Sequence, residues 1–131
     1  MQNIKSDFVA LAIVLTMVLG GCQTSAPILN IKDSPVAAAK PLQANQVRNA
    51  IIVGGANLGW QIVDAGQDKL KGTLRLREHL AVVDIPYSSK SYSIILISSV
   101  NLNERDGQIH RNYNSWAQNL DTAIRAQLSI L

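Results

Sequence analysis

A histidine, an arginine, three asparagines, a tyrosine and a tryptophan crowd into GQIHRNYNSWAQNL, residues 107–120. A second polar set, Arg77 with His79 and then Asn101, lies upstream of it. A histidine beside an arginine could polarise a substrate, and His110, just ahead of a helix-like run, could hold an anion together with the helix N-terminal amides. General acid–base work needs a partner that tunes the histidine, and nucleophilic work needs a serine held in a strained turn, for which G-x-S-x-G is absent. With two histidines and one cysteine there is no H-E-x-x-H and no calcium-loop spacing, and Gly54-Gly55 with Gly59 lacks the lysine of a phosphate loop. The expectation is of no catalytic residue, no metal and no cofactor, with Arg77, His79, Asn101 and His110 as a candidate binding surface. One alternative is an enzyme using His79 or His110 on an envelope substrate, which requires a cleft that brings a histidine within hydrogen-bond reach of Asp or Glu; the other is a purely structural role in the envelope.

These side chains have to be positioned by a small set of elements. Asn45 is suited to cap a first helix over 45–57, on which Val47, Ala50, Ile51, Gly54 and Leu58 recur at helical spacing. Gly54 and Gly55 would weaken that helix, so their expected use is to let another element approach closely. GWQIVDAG reads as a short strand closed by a turn around Gly66 to Asp68. KGTLRLREHLAVVDIPY alternates for a long way, but Leu74 and Leu76 share one parity while Ala81, Val83, Ile85 and Tyr87 share the other. That flip demands a bulge or a break at Arg77-Glu78, and Pro86 marks an edge or an end. YSIILISSVNL is a further strand, apolar on both parities at its centre.

The chain closes with an amphipathic helix that carries Tyr113, Trp116, Ala117, Leu120, Ile124 and Leu128 on one stripe. Asn112 is its expected N-cap, Tyr113 and Trp116 are expected in the core, and Asn114 and Asn119 in solvent. Turns this short imply antiparallel neighbours. The expected fold class is α+β: an antiparallel meander of three strands, or four if the long run breaks, with the N- and C-terminal helices packed on one face. His79, on the parity of Arg77, is expected beside it on the helix-free face.

The start of the chain carries an address. Lys5 is followed by an uncharged apolar run, Phe8 to Leu19, which is too short for the roughly 20 residues of a spanning helix. Leu19-Gly20-Gly21-Cys22 then reads as a lipobox, with the only cysteine of the chain as the lipidation site. Residues 1–21 are thus expected to be a lipoprotein signal peptide. Removing them takes Lys5 and Asp7 together and leaves the formal charge at +3. Residues 22–43, with Pro27, Pro35 and Pro41, read as a lipidated cysteine and a tether, in which Ile28, Leu29 and Ile31 are the exception, either packing onto the edge of the domain or standing in a mobile arm. Extended at about 3 Å per residue, that tether would reach roughly 60 Å. Residues 44–131 are expected to form one small domain whose stability must come from packing, because the mature chain has no thiol left for a disulfide.

The charge is too small and too dispersed for nucleic acid. The membrane is the first expected partner, through acyl chains on Cys22, and Gln23 after the cysteine favours the outer membrane, with the domain facing the periplasm. A second envelope protein, or a second copy pairing an edge strand, is the other expected partner.

Several of these residues carry a resemblance. Pro27-Ile28-Leu29, Gly59-Trp60, Arg77-x-His79-x-Ala81-x-Val83-x-Ile85-x-Tyr87, Tyr92-Ser93-Ile94, Ser99 with Asn101-Leu102, and Ile109-His110-x-x-Tyr113-Asn114-x-Trp116-x-x-Asn119-Leu120 together resemble a family of small bacterial, mainly proteobacterial, lipoproteins of uncharacterised activity. The resemblance implies a lipid anchor and a compact α+β domain, and no reaction.

Overall fold

The computed structural model describes residues 23–131. Cys22 and the signal segment 1–21 lie outside the described residues. The chain runs β1 (Ser25–Pro27), β2 (Ile31–Pro35), α1 (Ala44–Ala56), β3 (Gln61–Asp64), β4 (Lys69–Leu76), β5 (His79–Pro86), β6 (Ser91–Val100), β7 (Gln108–His110) and α2 (Arg111–Ser129). It is an α+β fold with two helices and an antiparallel sheet. Four of the strands, β3 to β6, form the expected meander, but β2 adds to the far side of β6, giving five strands in the order β2-β6-β5-β4-β3. A separate two-stranded ribbon joins β1 to β7.

The tether expectation is corrected by these two N-terminal strands. Ala26 faces Ile109 in the ribbon, and Ile31 faces Ile94 at the edge of the sheet. The prolines that suggested a linker do not oppose this, because Pro27 and Pro35 each end a strand that has a partner on one side only. An edge position tolerates the missing N–H. Ile28, Ile31, Val36 and Ala38 pack against the core, so burial repays the ordering of a segment with weak local propensity.

The parity flip at Arg77-Glu78 is a hairpin turn. Leu76 pairs with His79, Leu74 with Ala81 and Gly72 with Val83, so even positions on β4 share a face with odd positions on β5. Arg77 takes a left-handed φ of 55° to make that turn. On this face Leu70, Leu74, Ala81, Val83, Ile85 and Ile94 are buried in one cluster with Val47 and Ile51 of α1 and Tyr113, Ala117, Leu120, Ile124 and Leu128 of α2. Both helices therefore cover the same side of the sheet. Gly54 sits where α1 meets α2, and a Cβ there would lie 3.0 Å from Ile124 N, a backbone atom. The close approach expected of the glycines is what the fold uses.

Two caps differ from expectation. The α1 cap is Gln43, whose backbone N–H donates to the Gln46 side chain at 2.9 Å, while Asn45 already lies within the helix. The α2 cap is His110. A part-buried polar cluster also ties the edge strand to α2. The Tyr92 and Ser34 hydroxyls both donate to Asp121 Oδ1, and the Arg125 guanidinium closes on Ser34 Oγ at 3.1 Å and on Asp121 Oδ2 at 3.0 Å.

Candidate functional site

The four candidate residues gather at one end of the molecule, formed by the β4–β5 turn, the end of β6, the loop to β7 and the start of α2. His79 opens β5 on the parity of buried Ala81 and Val83, which places it on the helix-covered face. The expectation of His79 on the helix-free face is thereby corrected. Its ring lies 6.4 Å from that of Trp116 in a tilted arrangement, and its Nδ1 is 2.8 Å from the carbonyl oxygen of Asn101. Because that oxygen can only accept, Nδ1 carries the proton. Asn101 completes the junction: its side-chain Nδ2 donates to the Glu78 carbonyl at 2.8 Å, across the end of the sheet. Its φ of 58° falls in the left-handed region that asparagine tolerates better than most residues.

His110 does a capping job that was expected of Asn112. Its Nδ1 accepts from the Asn112 N–H at 3.2 Å, so here the proton resides on Nε2. Its own backbone N–H donates to Leu102 O at 2.8 Å, next in sequence to the oxygen that holds His79. The two histidines thus flank the Asn101-Leu102 step, each with a ring nitrogen bonded to a backbone group. Arg77 alone of the four points to no partner among the described residues, being exposed at the turn.

Two further side chains depart from expectation. Trp116 is only half-buried, beside a cavity of about 90 Å³ lined with Leu58, Trp60, Leu74 and Asn119. That space is far below the several hundred Å³ of a small-molecule site. A larger hollow, about 420 Å³, lies away from the four residues, between residues 36–42 and the β5–β6 turn, with Lys40 and Lys90 on its rim. Asn114 is not simply solvated. Its Nδ2 donates to Pro27 O at 2.9 Å and its Oδ1 accepts from Leu29 N–H at 3.0 Å.

Compared with family models, with curated proteins and with solved structures, the chain matches none. The Pro27-Ile28-Leu29 segment is held by Asn114, and the histidine of the β5 segment lies against the tryptophan of the C-terminal one.

The helix-free face is built from the other parity. Arg75, Leu80 and Val100 form one row across β4, β5 and β6; Thr73, Val82 and Ser98 a second; Lys71, Asp84 and Ile95 a third. Val63 of β3 continues the third row. None of these residues is buried, and Val63 and Val100 are 49% and 48% exposed. A bulge at Ile97, where Val82 faces Ser98 but Val83 faces Leu96, leaves that side chain 51% exposed as well. Sequence reading pointed to an open face but filled it with the wrong residues. The parity of Leu80 and Val82, opposite to the buried set, was the available signal.

Among the described residues there is no group of three or more His, Cys, Asp or Glu arranged to hold a metal, and no helix long and apolar enough to cross a membrane.

Proposed function

We propose that this protein is a lipid-anchored envelope protein whose domain is a protein-interaction module, not an enzyme. In this reading residues 1–21 are removed, Cys22 is acylated, and the outer membrane holds the domain toward the periplasm. The open sheet face is the binding surface. The observation that carries the reading is that face: apolar Val63, Leu80, Val82, Ile95 and Val100 stand uncovered among Lys71, Thr73 and Arg75. Contiguous apolar surface rimmed by polar groups marks an interaction site in a small soluble domain. Asp84 of the same face is paired with Lys69 at 3.7 Å, which leaves Lys71 and Arg75 as its charges in no ion pair among the described residues, and this mixture of apolar and basic side chains suits a partner surface with an apolar centre and acidic fringe. His79, Asn101 and His110 serve the module by holding its end together, and their hydrogen bonds to backbone groups support a positioning role.

Site-specific photocrosslinking in cells tests this. A benzophenone side chain replacing Val82 in the full chain should give one discrete adduct, and the same group replacing Gln118 on the exposed side of α2 should give none. An adduct of twice the chain mass would identify a second copy as the partner. Absence of an adduct at Val82, or the same adducts from both positions, would overturn the assignment of the face.

A further inference from the structure

Resting on the lipoprotein reading, we propose that the anchored domain sits directly on the bilayer, with the end that carries Arg77, Arg105 and Arg111 against anionic phospholipid headgroups. Cys22 precedes Ser25, the first residue of β1, by three positions, a span of at most about 11 Å. The reach expected of a long tether is therefore not available, because residues 25–35 are committed to strands.

Thr24 O accepts from the Arg111 N–H at 2.8 Å, and Ile28 N–H donates to Gly107 O at 2.9 Å. With Asn114 on Pro27 and Leu29, these bonds fix the arm to the start of α2, the same end as the β4–β5 turn. Acyl chains on Cys22 must then enter the membrane beside this end and not beside the opposite one.

Arg75, Arg77, Arg105 and Arg111 are all exposed here, and none is in an ion pair among the described residues. The acids of this end are Glu78, Glu104 and Asp106, so the four arginines leave it a net charge of +1; Glu104 accepts from the Ser99 hydroxyl at 2.6 Å and keeps its charge. Leu76 and Val100 add exposed apolar surface at the same edge, 48% open each. Arginines with adjoining apolar side chains are suited to the headgroup layer, where basic residues gain from the negative surface potential. So placed, the strands run away from the membrane and the open sheet face looks sideways, free to meet a partner.

The test uses the full chain, made in cells, purified and reconstituted into phosphatidylethanolamine–phosphatidylglycerol vesicles that carry a nitroxide quencher at the headgroup. A fluorophore is placed through Gln108→Cys on β7 or through Gln67→Cys in the β3–β4 turn, both exposed positions. β4 separates the two ends by about 26 Å, so quenching at position 108 should exceed that at position 67 about five-fold or more. Changing Arg77, Arg105 and Arg111 together to Gln should lower the quenching at position 108 toward its value in phosphatidylcholine vesicles, with unchanged thermal melting. Equal quenching at the two positions, or no effect of the arginine changes, overturns the orientation while the mass of the N-terminal peptide still reports an acylated Cys22. An unmodified Cys22 overturns the anchor reading and this inference together.

Discussion

The side-chain amide of Asn114 spans the backbone on both sides of Ile28, donating to the Pro27 carbonyl and accepting from the Leu29 N–H. One residue of α2 thus satisfies two backbone groups of an arm more than 80 positions earlier in the chain. Asn114→Ala should lower stability by about 0.5–1.5 kcal/mol, the net contribution of hydrogen bonds whose backbone partners water can still reach. The loss should be local first: amide hydrogen exchange of residues 24–31 should accelerate more than that of β5. Asn114→Asp keeps the acceptor for Leu29 and loses the donor to Pro27, so it should fall between the two.

His110 caps α2 through Nδ1, which accepts from Asn112 N–H. His110→Ala should cost about 0.5–2 kcal/mol in urea unfolding, as for other caps. His110→Asn should recover most of that, because asparagine is a better cap than alanine. A catalytic or anion-binding role would show the opposite separation, with function lost in the Asn variant at full stability.

The two glycines of α1 predict a contrast. Gly54→Ala places a methyl 3.0 Å from a backbone nitrogen of α2, whereas Gly55→Ala meets the tip of the Ile62 side chain. Alanine gains about 1 kcal/mol in helix propensity, against about 1–3 kcal/mol for overpacking. Gly54→Ala should therefore be destabilising. Gly55→Ala should be close to neutral, since Ile62 is half-buried and can move.

Stability should decline in alkali. Burial, with help from the Asp121 carboxylate, pushes the Tyr92 hydroxyl up to about 12, and burial, with Glu104 nearby, also raises that of Tyr113. The unfolded chain sheds these protons near the ordinary value of about 10, before the folded one does. Stability is thus level with respect to these groups below pH about 10 and falls as pH rises from there to about 12. Urea midpoints measured across that window should show the slope, and Tyr92→Phe with Tyr113→Phe should flatten it.

How legible this molecule was from its residues depends on the range of the forces involved. The meander and α2 could be read because period-two and period-3.6 patterns are local, and even the β4–β5 turn announced itself through the change of parity from Leu76 to His79. β1 and β2 could not. They are three and five residues long and are held by partners 56 or more positions away, and Pro27 and Pro35 imitate a linker. The polar residues were recognised as a set, but their partners are backbone groups, and no side-chain pattern displays which carbonyl a histidine will meet. His79 had a clue that was not followed: sharing the parity of Ala81, Val83 and Ile85, it had to lie on the buried side.

Arg77 holds a φ of 55° without being glycine. Relief of that conformation by Arg77→Gly should raise stability by about 0.5–1 kcal/mol. If the guanidinium is retained for the headgroup layer, the same variant should bind anionic vesicles more weakly, a trade that a purely structural turn residue would not show.

The most direct measurement is the mass of the N-terminal peptide recovered from membranes of bacterial cells making the full chain. The anchored-module reading predicts a peptide that begins at Cys22, lacks residues 1–21 and carries a diacylglyceryl group, and a Cys22→Ala chain that leaves the mature membrane fraction. A free Cys22 thiol with residues 1–21 still attached would contradict it.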